Sequence, residues 1–463
     1  MGKKLTCDKA VILALILLCL SAAVRIMLLP AGDLDEIWNY NISRAFAMDY
    51  VPYRDFSLVQ PPLFFFLASL PLRIVRMMIV YRVFEAVGVV AVIMAVYTFS
   101  RLSMSPRKAL IPSAAMAFFA DHFTYNSLAF LSVLLFCILT SEKEGKKITL
   151  RYFAAGIILV MTALSRQTTG GILILFELAY VSVICFREKR YSKILMMGAG
   201  AAASCAVFAS VLLLTSSFGA FWEYCLLSLF SFGSANASVN YAGGYLLFMG
   251  GVIIAGIIVD IMKKRPERLV LILILMTVAI PITEPFQHLV YAFIFALAEV
   301  LTIKIPDKRI FGIIVPACAF TVSGVILMIT FVLSAGAHPA GEGEVKGIMT
   351  DGLFDGYGEI AKKNEAYEKE GYRVVTISGN AAIVSIMKGT YTPHFDLFLG
   401  GNLGLKTPEE YVDELLAEEG TVIVIPRDYD SENWQNPKGI RERIVNGRVP
   451  FDEYGPFEYY MCG

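Results

Sequence analysis

Asp33, Asp35 and Glu36 place three carboxylates within four positions, directly after the first long apolar run. Asp49 and Asp55 follow in the same segment, interleaved with Arg44, Arg54, Arg73 and Arg76. A carboxylate at a membrane surface, beside arginines and under aromatic cover, suits a general base that takes a proton from a hydroxyl. Arginine offers a planar fork of donors that fits phosphate oxygens in pairs. The segment 31–77 therefore carries the parts for acid–base chemistry next to an anion.

A second polar group, Asp121 and His122 with Tyr125 and Asn126, interrupts two apolar runs. It reads as a site for acceptor or donor hydroxyls, or as the polar turn that any helical hairpin needs. His288 stands with Glu284 and Gln287 in another such turn. Glu85 lies three positions after Arg82, which predicts an ion pair on one helix face; Glu177 and Glu299 read as protonated or functional acids. The four histidines, His122, His288, His338 and His394, show no metal-ligand spacing, and the eight cysteines contain no CxxC, so a disulfide framework is not expected. The sequence assigns no cofactor and leaves a divalent metal unassigned.

These residues need a scaffold, and the composition says which kind. The chain has 463 residues, 57% hydrophobic and 17% charged, with a mean hydropathy of +0.63. Soluble domains average about 45–50% apolar and about 25% charged. Apolar runs fall near 10–30, 78–100, 109–121, 126–141, 152–165, 170–186, 194–215, 244–262, 268–283, 287–303 and 310–334. They predict a polytopic all-α membrane protein of about eleven transmembrane helices, since a span takes about 20 residues. Long runs without strict alternation exclude a β-barrel. The first run lacks a small-residue cleavage site and reads as an anchor.

Net charge is zero, yet 1–336 carries +10 and 337–463 carries −10. With the N-terminus inside, 21 of the 28 basic residues in 1–336 fall in inner loops, and the acidic tail falls outside. The other seven are all arginine: Arg25, Arg44, Arg54, Arg73, Arg76, Arg82 and Arg166. They read as phosphate ligands or as side chains snorkelling to lipid headgroups. Basic residues confined to short loops give no reason to expect nucleic acid.

The chain thus divides into a membrane domain, 1–336, and an extracytoplasmic α/β domain, 337–463. In the long first outer loop, 37–48 predicts a short interfacial helix, apolar at Ile37, Trp38, Ile42, Ala45 and Phe46, and Gln60, Pro61 and Pro62 open a second one. The loop 216–243, with Trp222, Glu223 and Tyr224, reads equally as an active-site lid or a passive aromatic belt. In the tail, strands at 372–378 and 421–426 alternate with helices at 380–388, 407–419 and 437–446, which predicts a small three-layer unit. That unit would stabilise the membrane domain or guide an acceptor.

The acidic pair Asp35-Glu36, the stretch Tyr53-Arg54-Asp55-Phe56 and Gln60-Pro61-Pro62-Leu63 before an aromatic run together resemble the GT-C superfamily. More narrowly they resemble family 39 glycosyltransferases, which include protein O-mannosyltransferases and the lipid A aminoarabinose transferase. LSRQTTGG at 164–171 and FQHLVYAFIFALAEV at 286–300 are similar to later segments of that family. The resemblance implies an inverting transfer of sugar from a polyprenyl-phosphate-linked donor to an acceptor hydroxyl outside the cytoplasmic membrane of a bacterium. Asp35 matches the family's catalytic aspartate, Glu36 completes the pair, and Asp121 stands where a second acidic site is expected. Arg54, Arg76, Arg166 and His288 are the candidates for the donor phosphate. Asp33, Tyr53, Gln60, His122 and Gln167 are the candidates for substrate contacts. The implied partners are a lipid-linked sugar donor, membrane lipids and a glycan, lipid or protein acceptor. A transporter or lipid flippase is the rival reading, but the chain shows no internal repeat. A non-catalytic envelope scaffold would not need the carboxylate-rich loop.

Overall fold

The computed structural model describes residues 9–463 except 33, 142–147, 188, 190, 229–242, 278–284, 304–308, 394, 396–397, 401 and 433–435. By contacts the chain divides into two compact units. The first comprises 1–28, 83–210 and 238–333, and the second 29–82, 211–237 and 334–463. The tail thus shares its unit with the long first loop and with part of the 216–243 loop.

The first unit is helical. Each apolar run named above falls on a helix: α1 (Lys9–Leu28), α4 (Met78–Arg101), α5 (Pro106–Phe119), α6 (Tyr125–Thr140), α7 (Ile148–Ser165), α8 (Gln167–Arg187), α9 (Tyr191–Leu214), α10 (Gly243–Met262), α11 (Pro266–Thr277), α12 (Pro285–Val300) and α13 (Arg309–Leu333). Among the described residues four helices, α1, α4, α9 and the Ile314–Leu333 stretch of α13, are long and apolar enough to cross a membrane. The most buried are α6 and α12; from Val290 to Ala296 every residue of α12 is enclosed. α12 packs on α5, α6, α10 and α11, so it lies inside the bundle. Gly170 explains the tight crossing of α8 on α7: a Cβ there would sit 2.1 Å from the Ala163 Cα.

The second unit is mixed. α2 (Leu34–Ala47) and α3 (Leu63–Leu72) pack together. α2 was expected to lie in the interface with one face buried. Instead, every position from Glu36 to Phe46 is buried, including Asn39, Asn41, Ser43 and Arg44. The tail covers its polar face, as described below. α3 does keep exposed apolar residues at Phe66 and Leu70, one turn apart on one face, and Ile74 in the turn that follows is 85% exposed. A short helical turn, Phe218–Phe221, runs into a π-helical turn, Trp222–Leu227.

The tail holds β1 (His338–Pro339) and β2 (Met349–Thr350), then α14 (Tyr357–Lys369), β3 (Arg373–Thr376), α15 (Ala381–Lys388), α16 (Pro408–Leu416), β4 (Thr421–Pro426), α17 (Ile440–Val445), β5 (Asp452–Tyr454) and β6 (Phe457–Met461). Its sheet runs β3-β4-β6-β5, with β3 and β4 parallel and the rest antiparallel. β4 is buried on both faces. Val422 and Val424 join Ile360 and Val384, while Ile423 and Ile425 join Val412, Leu415, Ile440 and Ile444. Helices on both faces of one sheet make three layers. Thr407 and Glu410 form the expected capping box of α16.

Candidate active site

In the second unit the site starts at the first turn of α2. Arg82 donates to both oxygens of Glu36, Nε–Oε1 at 2.6 Å and Nη2–Oε2 at 2.9 Å, and to the Leu29 carbonyl at 2.5 Å. Both side chains are completely buried. The sequence paired Arg82 with Glu85. The structure gives Arg82 a partner that local spacing did not offer: Glu36, forty-six positions away, whose buried carboxylate has both oxygens satisfied by the bidentate fork. With both oxygens held, Glu36 ties the start of α2 to Arg82. Asp35, one position earlier and so about 100° around the helix, is only half-buried. Asp33 lies outside the described residues.

Tyr53 and Gln60 come together. Tyr53 is buried in a left-handed conformation, φ 68°, and its hydroxyl donates to the Gln60 carbonyl at 2.8 Å. Its ring meets Phe221 edge-on with centroids 5.2 Å apart. Burial pushes the Tyr53 hydroxyl well above the usual tyrosine range, so it stays a donor. The Gln60 Oε1 is buried and has no donor among the described residues. Arg54 points to its neighbour Asp55 at 2.7 and 2.9 Å, which holds that carboxyl below the usual range. Arg76 is half-exposed, with its Nε 3.8 Å from Glu344.

In the first unit the turn 120–124 gathers the other candidates. Asp121 is exposed and 3.7 Å from Arg25, which donates to the Phe118 carbonyl at 2.9 Å. His122 turns inward to Glu85 at 3.3 Å. Gly88 makes room for the turn, since a Cβ there would overlap the Phe123 ring at 2.3 Å. Thr124 and Ser127 cap α6. Arg166 is buried and donates to the Asn126 side-chain oxygen and, at 3.4 Å, to Thr168. Half-buried Gln167 opens α8. Ser127 shares a 2.8 Å hydrogen bond with Tyr291, whose ring stacks on Phe130 at 4.6 Å. Three patches remote in sequence, around Asn126, Arg166 and Tyr291, therefore meet at one end of α6. His288 starts the helix that carries Tyr291, and its side chain lies outside the described residues. At another position on α12, Glu299 accepts from Arg265 at 3.1 Å and is not a lone buried acid.

The seven arginines that read as one set divide. Arg44 and Arg82 are fully buried in ion pairs. Arg25, Arg73 and Arg166 bond to backbone or side-chain oxygens of their own unit. Arg54, Arg73 and Arg76 keep about half of the side chain exposed. Sequence reasoning missed Tyr40 and Glu344. The i,i+4 spacing of Tyr40 and Arg44 marks a polar face on α2, but nothing in the spacing identifies a partner 300 residues away.

No protein-family model matches the sequence, and the search of curated proteins returns no match. Solved structures do match. The chain is similar to ArnT from Cupriavidus metallidurans bound to undecaprenyl phosphate, with TM-score 0.58, 11% identity and 98% of each chain covered. It is similar to the Archaeoglobus fulgidus oligosaccharyltransferase tethered to an acceptor peptide, with TM-score 0.53, 12% identity, and 98% of this chain and 74% of that one covered. The same archaeal enzyme in complex with an inhibitory peptide and a dolichol-phosphate matches with TM-score 0.51 and 12% identity, over 97% and 74%. At such identities the likeness is one of fold, and it is the GT-C fold that the sequence motifs resemble.

Proposed function

We propose that the chain is an integral-membrane glycosyltransferase. It moves a sugar from a polyprenyl-phosphate-linked donor to an acceptor hydroxyl on the outer side of the cytoplasmic membrane. The observation that carries this reading is the first turn of α2: Glu36 is locked by Arg82 while the adjacent Asp35 stays half-buried. In this reading Glu36 holds the start of the helix and Asp35 is the base. The fold supports it, since it is shared with proteins solved with undecaprenyl phosphate and with dolichol-phosphate.

Asp35 takes the proton of the acceptor hydroxyl as its oxygen bonds to the anomeric carbon. The bond from that carbon to the phosphate oxygen breaks, the configuration inverts, and polyprenyl phosphate leaves as an anion. A phosphate leaving group is already stable, so it needs cations placed where charge develops instead of a strong acid. Arg54, Arg76, Arg166 and His288 are the candidates, and Arg54 and Arg76 have exposed guanidinium surface to offer. Asp121, exposed beside Arg25, suits a hydroxyl of donor or acceptor. The lipid carries the activated sugar, so the reaction consumes no nucleotide.

Asp35→Asn keeps the size and removes the basicity. Loss of a general base costs about 10²–10⁴-fold in rate. The expected result is that drop in sugar transfer from a synthetic polyprenyl-phosphate sugar, with unchanged folding in detergent. Near wild-type transfer by the variant would remove Asp35 from the role.

A further inference from the structure

We propose that the tail segment 344–350 is a clasp that positions Asp35, with Glu344 as its positioning residue; this rests on the function proposed above. The segment holds α2 near both ends. Before the helix, the Ala31 N–H donates to the Met349 carbonyl at 2.7 Å, and Ala31 bridges to Thr350 beside the short β1–β2 ladder. That contact fixes the chain four residues ahead of Asp35. Further along, one oxygen of Glu344 accepts from Arg44 Nε at 2.5 Å and from the Tyr40 hydroxyl at 2.9 Å. Its other oxygen faces Arg76 at 3.8 Å.

Arg44 is the anchor of the arrangement. It is fully buried, and its remaining donors reach Asn41 at 3.3 Å and the carbonyls of Thr390 at 3.0 Å and Ser385 at 3.4 Å. Three carbonyl or amide oxygens hold the guanidinium, and only Glu344 among these partners balances its charge. A buried cation stripped of its carboxylate is poorly tolerated, so α2 would shift toward solvent or tilt. Tyr40 reports the same dependence: burial and the Glu344 carboxylate raise its hydroxyl well above the usual range, which keeps it a donor to Glu344. Asp35, in the first turn of this helix, moves with it. Misplacement of a reacting group by about 1 Å costs on the order of 10²-fold in rate.

The test uses the full chain in lipid nanodiscs and follows release of polyprenyl phosphate from a synthetic undecaprenyl-phosphate-linked sugar. Glu344→Gln keeps the shape and removes the charge. The expected outcome is a kcat lower by about 10–100-fold, with the donor KM within about twofold. Ala31→Cys with Thr350→Cys, placed at the bridged pair, should form a disulfide that restores most of kcat to Glu344→Gln, and reductant should abolish the rescue. Hydrogen exchange of the α2 peptide should quicken in Glu344→Gln and slow again on cross-linking, which is read out even if the variant is inactive for another reason. Unchanged kcat together with unchanged α2 exchange overturns the clasp. A rise in activity overturns it differently, by showing that Glu344 blocks an anion site made by Arg44 and Arg76. A change in KM alone would make Glu344 part of donor binding. Asp35→Asn run alongside separates the two readings: if it is fully active the general-base assignment fails, whereas an inactive Asp35→Asn with a neutral Glu344→Gln fails only the clasp.

Discussion

At the residue scale, the pair Glu36–Arg82 gives the sharpest stability prediction. Both side chains are wholly buried. Replacing Arg82 with methionine fills similar space but leaves the Glu36 carboxylate without its counter-charge. Breaking a buried pair from one side costs about 3–5 kcal/mol. Removing the charge from both sides, as Glu36→Gln with Arg82→Met, should recover a large part of that cost, because the Glu36 carboxylate is then no longer left without its counter-charge. Thermal unfolding in detergent of the two singles and the double reads the coupling directly. Equal, additive losses would show that the pair is not a unit. The arginines differ in what they can test. Arg54 and Arg76 are half-exposed, so their alanine variants should weaken donor use by about 10–100-fold, from lost charge-assisted bonds of about 1.5–3 kcal/mol each. Lysine should restore only part, since it keeps the charge and lacks the fork. Donor-concentration curves for each variant check this, and curves that overlay wild type would make both residues headgroup anchors. Arg166 is a poorer probe, because its removal also frees Asn126 at the start of α6. Asp35 and the acidic pair were readable in the sequence. The contacts Glu36–Arg82, Glu85–His122 and Arg44–Glu344 were not, because local spacing rules see three or four residues and these three span from 37 to 300.

At the element scale, hydrophobic runs and capping signals were the legible part. β4 was expected at 421–426 and lies at Thr421–Pro426, because a short, fully apolar β-branched run has no other use in a three-layer unit. The final hairpin, β5 with β6, was missed although Gly455-Pro456 between Tyr454 and Phe457 is a turn signal, and Gly455 indeed has φ 56°. Charged Asp452 and Glu453 hid the strand before it. α14 was missed for the same reason: its sequence is mostly polar, and only Ile360, Ala361 and Asn364 are buried. α2 was read as one-sided because its apolar positions repeat correctly; its polar face is covered by a tail that begins three hundred residues later. The segment 164–171 looked like a site motif, and one of its glycines has a packing role. Gly170→Ala should loosen the α7–α8 crossing, since the new Cβ meets backbone at 2.1 Å and backbone cannot step aside. Overpacking of this kind costs about 1–3 kcal/mol. Gly171→Ala is the matched control, with nothing within 4 Å of its Cβ, and it should unfold at the wild-type temperature. Identical behaviour of the two would refute the packing account.

At the scale of the whole molecule, charge is the signal that orients the chain. The lysines of 1–336 lie at the N-terminus and in or beside short loops that alternate with segments bearing no lysine, and the tail is strongly acidic. Inner loops are enriched in positive charge because translocating it is unfavourable; the membrane potential adds to that cost for every cation moved outward. The acidic tail carries no such barrier. The contact-defined units strengthen the argument from an independent direction. The first loop, 29–82, belongs with the tail in one compact unit, so both must face the same side. A first loop outside then places the tail outside, whatever the number of spans between them. Single cysteines in a background without reactive native thiols test this in intact cells with a membrane-impermeant maleimide. Lys369 is largely exposed in the tail and Lys264 is exposed in the loop between α10 and α11. Lys369→Cys should label without permeabilisation, and Lys264→Cys only after it. The reverse pattern would put Asp35 on the cytoplasmic side together with the tail, and an extracytoplasmic donor could then no longer reach it.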